Sequence, residues 1–214
     1  MNDLFKRFFT SIALLIVLYS SMINHYILLF LFNLIAFIVM IEAYRLIKLI
    51  FKKNAYKVVI SYLILIIYLS ISLPQLYFFI TFDNNNKLIF LFLLLVCIMT
   101  DIGGYTFGKF FQGKKLTNIS PNKTYSGLIG SYILSIIVFI FFYLKLNFSY
   151  SFIILTFLVC SISQIGDLFI SYLKRKAKVK DTGSLLPGHG GVLDRIDGII
   201  LALPIGINLL LLFR

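Results

Sequence analysis

Acidic residues are scarce in this chain of 214 residues: eight stand against twenty lysines and arginines, giving a formal net charge of +12. Cysteine is scarcer still. Cys97 and Cys160 both fall inside apolar runs, which suits lipid-facing or packing residues better than a disulfide or a metal pair. There is no glycine-rich P-loop of the Walker type, so nucleotide selectivity must come from other contacts. No internal repeat stands out, which argues against an ion-coupled transporter built from inverted halves. No low-complexity linker interrupts the chain.

What the chain does have is hydrocarbon. At 60% hydrophobic residues and a mean hydropathy of +0.99, it reads as an integral membrane protein with no room for a separate soluble domain. Seven apolar segments cover 8–23, 26–41, 58–80, 88–107, 128–144, 149–170 and 199–213. The expected fold is an all-α polytopic transmembrane bundle forming a single domain over 1–214.

The excess of positive charge alone could suggest nucleic acid, but its distribution follows the spans. With seven crossings, one set of alternate compartments holds 17 of the basic residues and the other holds 3. That asymmetry places the N-terminus and the long basic loops in the cytoplasm. The basic stretch from Glu42 to Lys57 is accounted for by this topology and by attraction to anionic membrane lipid. Pro74 marks a kink or boundary in the third span, and Asp83 to Asn86 reads as an external turn.

Polar residues gather in two cytoplasmic stretches, 101–127 and 167–198. In the first, Asp101 ends an apolar segment, at a depth where an acid points to a bundle-facing role. Gly104 and Gly108, four apart, suit close helix packing. Ser120 is a plausible cap with Pro121 at a helix start, and Lys123 is free to meet phosphate.

The second stretch opens with Asp167, which closes a segment carrying Ser161, Ser163 and Gln164. Ser171 to Gly198, SYLKRKAKVKDTGSLLPGHGGVLDRIDG, is a polar island holding six of the twenty basic residues and three of the eight acids. Lys174, Arg175, Lys180 and Arg195 suit phosphate oxygens, while Asp181, Asp194 and Asp197 are hard donors for a divalent cation. Pro187 to Gly191 is a turn whose backbone N–H groups, those of Gly190 and Gly191 included, can approach an anion. A helix starting near Leu193 would put Asp194 and Asp197 on one face, able to share a metal that Asp167 joins. The combination suggests phosphoryl or nucleotidyl transfer.

The order Ser171, Lys174-Arg175, Lys180-Asp181, Gly183, Leu186-Pro187, His189-Gly190-Gly191, Asp194-Arg195-Ile196-Asp197 resembles the signature of phosphatidate cytidylyltransferases, the CDP-diacylglycerol synthases. The stretches around Asp101 and Tyr105 and around Ser120 to Thr124 resemble further elements of that family, and the resemblance assigns Asp101 and Tyr105 to the site. Ser126 departs from it, standing where the family usually has Glu or Gln. The resemblance implies an inner-membrane enzyme joining CTP to phosphatidate with release of pyrophosphate. Magnesium would lie on the aspartates, with room for a second, monovalent cation. Lys123, Lys174, Arg175, Lys180 and Arg195 would hold phosphates, and His189 would donate a hydrogen bond to phosphate. The same residues would suit a polyprenol kinase or an archaeol-type cytidylyltransferase. A homodimer is compatible with this reading, and a nucleic-acid partner is not expected.

Overall fold

A computed structural model describes residues 16, 19–117, 120, 123–185 and 190–212. Among them every regular element is a helix: α1 His25–Ile50, α2 Ala55–Phe82, α3 Asn84–Phe111, α4 Tyr125–Leu146, α5 Ser151–Ala177, the short α6 Leu193–Ile196 and α7 Ile199–Leu212. Among the described residues, six stretches are long and apolar enough to cross a membrane: α1 to α5, and Leu193–Leu212. This is the architecture of a multi-pass membrane protein. Most of the expected span at 8–23 lies outside the described residues.

Local signals set the helix ends. Asn24 caps α1 by accepting from the Tyr26 N–H, Asn54 caps α2 through Lys57, and Thr124 caps α4 through Gly127. Asn147 closes α4 in the left-handed conformation that asparagine tolerates, at φ 54°. Pro74 lies inside the single helix α2, in agreement with one span over 58–80 and with no boundary there. One boundary differs from the sequence reading. The turn expected over 83–86 shrinks to Asp83, because Asn84, Asn85 and Asn86 already form the first turn of α3 and Asn86 is buried.

The chain divides into two compact units. The first comprises Met1–Asp83 and Leu173–Ile196, and the second Asn84–Tyr172 and Asp197–Arg214. In the first unit α1 packs against α2 and α6. These two long helices keep most of their apolar surface outward, with only 22% and 28% of their hydrophobic windows buried. Such surface suits lipid rather than water.

In the second unit α3 is the centre, with half its window buried. Its close neighbour is α4, and small residues set the distance between them. A Cβ added at Gly103 would strike the Gly130 carbonyl, and one at Gly127 would come within 2.5 Å of the Gly104 carbonyl. The tightest backbone-to-backbone approach is thus at Gly103, one residue before the Gly104 and Gly108 pair that the spacing suggested. Once the backbones are this close, hydroxyls join them. Ser131 Oγ donates to the Thr100 carbonyl at 2.6 Å, and Thr100 Oγ1 shares a hydrogen bond with Ser135 Oγ at 3.0 Å. Phe92, Phe142, Phe148 and Phe152 cluster at the other end of this unit, with ring centroids 4.7 to 5.6 Å apart.

Candidate active site

The second unit holds a cavity of about 290 Å³ whose walls include Asp101, Tyr105, Ser120, Lys123, Gln164 and Asp167. Five of these, all but Gln164, are candidate site residues of the sequence reading. Lys123 is delivered by a small hairpin between α3 and α4. Lys115 and Thr124 pair as an isolated bridge, Leu116 N–H donates to the Lys123 carbonyl at 2.7 Å, and Tyr125 N–H donates to the Lys114 carbonyl at 3.0 Å. α4 starts after this hairpin, at Tyr125, so Ser120 is not its cap; Pro121 lies outside the described residues. Ser126, the departure from the family pattern, braces the hairpin locally. Its hydroxyl bonds to Thr124 Oγ1 at 2.9 Å and accepts from Gly113 N–H at 3.3 Å.

Lys123 Nζ meets Asp167 Oδ2 at 2.5 Å, with both side chains about a quarter exposed. Asp167 Oδ1 also accepts from Ser171 Oγ at 3.3 Å. Asp197 is buried and interacts with both Asp167 and Asp101. It sits in the turn between α6 and α7, where its Oδ1 accepts from the Gly198 N–H at 2.9 Å. The turn lies hard against α5: a Cβ at Gly166 would come within 2.7 Å of the Asp197 carbonyl. Of these three carboxylates only Asp197 is buried; Asp101 is exposed and the Asp167 side chain is about a quarter exposed.

The first unit gathers the rest of the island around Asp194. Lys174 Nζ donates to Oδ1 at 2.7 Å. Oδ2 accepts from Thr182 N–H at 2.8 Å, Gly191 N–H at 3.0 Å and Thr182 Oγ1 at 3.0 Å. The expected anion-binding amide of Gly191 is therefore donated to a side chain of the same loop. Gly190 has φ +83°, and a Cβ there would lie 3.1 Å from Asp194 Oδ2. Arg175, Lys180, Asp181 and Arg195 are exposed, and His189 lies outside the described residues.

Glu42 was missed as a site residue. Its buried carboxylate accepts from Thr182 Oγ1 at 2.9 Å, Val192 N–H at 3.0 Å and Leu193 N–H at 2.8 Å. The available signal was a single acid at the end of an apolar run, read as part of a basic surface stretch.

Asp167, Asp194 and Asp197 do not form a preformed cage. Among the described residues, no three histidine, cysteine or acidic side chains converge to hold an ion. Helix α6 stops at Ile196, so Asp194 is helical while Asp197 is in the following turn. The chemistry of the donor set still fits magnesium, which needs only one or two carboxylates when substrate phosphates complete its shell.

The sequence model of the cytidylyltransferase family matches residues 3–213. A phosphatidate cytidylyltransferase of Staphylococcus haemolyticus is 43% identical over 141 residues, covering 64% of this chain and 54% of that protein. One of Rickettsia typhi is 38% identical over 163 residues, covering 69% and 71% respectively. One of Bacillus subtilis is 38% identical over 144 residues, covering 64% and 54%. The chain thus spans about half the length of the Staphylococcus and Bacillus relatives it matches. With nearly its whole length matched, the chain belongs to the cytidylyltransferase family.

Proposed function

We propose that this chain transfers the cytidylyl group of CTP to phosphatidate, producing CDP-diacylglycerol and pyrophosphate. The observation that carries this reading is the cavity that brings Lys123, Asp101 and Asp167 together in a membrane protein of this family. A phosphate oxygen of phosphatidate attacks the alpha phosphorus of CTP in line. The bond from that phosphorus to the alpha-beta bridging oxygen breaks, and its electrons leave with pyrophosphate. The attacking phosphate is already ionised near neutral pH, so no strong general base is required.

Lys123 binds a phosphate oxygen and, through its ion pair, holds Asp167 in the cavity wall. Arg175, Lys180 and Arg195 are further cations for the triphosphate or the lipid phosphate, and His189 donates a hydrogen bond to phosphate. Asp167 and Asp197 would hold magnesium. When bound, it supplies charge neutralisation to the departing pyrophosphate. Asp194, already engaged by Lys174, Thr182 and Gly191, orders the island loop.

The reaction takes place at the inner membrane with the site facing the cytoplasm, where CTP is available. The 17 to 3 division of basic residues between alternate compartments supports that orientation. Purified protein in detergent, given phosphatidate, magnesium and each of the four nucleoside triphosphates in turn, should release pyrophosphate with CTP alone. Equal release with all four would refute the assignment, and release without phosphatidate would indicate a hydrolase.

A further inference from the structure

We infer that Glu42 is a positioning residue for this reaction: its carboxylate clamps Thr182, Val192 and Leu193 and thereby sets the loop that carries Gly191 and Asp194. The inference rests on the function proposed above. Glu42 projects from α1 and is 3% exposed, and it accepts three hydrogen bonds from residues 140 to 151 positions later in the chain. A carboxylate only accepts, and its two oxygens match donors that would otherwise be unsatisfied where α6 begins.

Two further features show that the loop is shaped around this side chain. A Cβ on Gly183 would stand 2.5 Å from Glu42 Oε1, and one on Gly191 would stand 2.6 and 2.7 Å from its two oxygens. Alanine fits at neither position while Glu42 stays in place. Thr182 then links the clamp to the island. Its hydroxyl lies 2.9 Å from Glu42 Oε2 and 3.0 Å from Asp194 Oδ2, while its amide donates to Asp194. The amides of Gly191, Val192 and Leu193 are consumed in sequence by Asp194 and Glu42. Their role is to fix the loop, so that Lys174 and Asp194 keep one geometry through the catalytic cycle.

The test compares wild type, Glu42→Gln and Thr182→Val, each as full-length protein in detergent, by amide hydrogen exchange and by steady-state turnover of CTP and phosphatidate. Glutamine presents an amide N–H₂ to a backbone donor, so one clamp contact is lost. Exchange at 191–194 should rise about tenfold or more, and kcat should fall by about tenfold with both KM values within about twofold. The melting temperature should stay close to wild type. Thr182→Val, which removes only the hydroxyl link, should change both readouts in the same direction by less, and it decides the question if Glu42→Gln does not accumulate folded protein. Unchanged exchange at 191–194 overturns the clamp. Raised exchange with unchanged kcat overturns the positioning role and leaves Glu42 a structural residue. If wild type shows no CTP-dependent turnover, the function proposed above fails, while exchange still decides whether the clamp exists.

Discussion

Lys123 and Asp167 form an ion pair in the wall of the second unit's cavity, at 2.5 Å between Nζ and Oδ2. The lysine comes from the hairpin before α4 and the aspartate from α5, so the pair ties a loop to a helix. Removing the cation should weaken phosphate binding and release Asp167. Lys123→Ala is expected to lower kcat/KM by about ten- to a hundredfold, the scale of losing one or two charge-assisted hydrogen bonds. Lys123→Arg should retain more activity than alanine. Steady-state kinetics on the detergent-solubilised variants would settle the order.

Asp197 should matter in a different way. It is buried and interacts with Asp167 and Asp101, and in the mechanism proposed above it would act as charge moves onto the departing pyrophosphate. Asp197→Asn is therefore expected to reduce kcat by about a hundredfold, roughly 3 kcal/mol of transition-state stabilisation. The amide is nearly isosteric, so the variant should fold. Lys52→Ala, in the exposed basic stretch, is the control and should stay near wild type.

Helix packing can be tested without reference to catalysis. A methyl at Gly103 has nowhere to go except into the Gly130 carbonyl, which is backbone and cannot swing aside. Gly103→Ala should destabilise the α3 and α4 pair by about 1–3 kcal/mol, seen as a lower melting temperature in detergent. Gly104→Ala meets only the Ser131 hydroxyl, at 3.1 Å, and should be milder.

Asp101 and Asp167 stood out because an acid closing an apolar run demands a reason, Lys123 stood out as a loop cation beside Ser120 and Pro121, and all three line the cavity. The three-residue spacing of Asp194 and Asp197 was read as one helical face, but the helix ends at Ile196, with Asp197 and Gly198 in the turn that follows. Gly198 fits that turn because a Cβ there would collide with Ser163, a contact that no local pattern encodes. Glu42 was illegible for a similar reason. Its partners lie 140 to 151 residues away, and its neighbours in sequence are the lysines and arginine of a topological signal. Ser126 was visible as a departure, and only the hairpin shows what its hydroxyl does.

Topology follows from charge. Residues 53, 115 and 178 should face one side of the membrane, and residues 85 and 147 the other. Single cysteines at these positions, in a background lacking the buried Cys97 and Cys160, would be challenged with an impermeant thiol reagent on intact cells. Labelling is expected at 85 and 147 only. Labelling at 178 from outside would reverse the orientation and move the site away from the cytoplasm.

The most direct test of the central claim is the fate of the phosphorus atoms of CTP. Purified protein would be incubated with phosphatidate, magnesium and CTP radiolabelled on either the alpha or the gamma phosphorus, and the lipid and aqueous phases counted separately. Cytidylyl transfer predicts that the alpha label enters the lipid while the gamma label leaves as pyrophosphate. Gamma label in the lipid, with the alpha label left in water-soluble CDP, would make the protein a kinase and contradict the account.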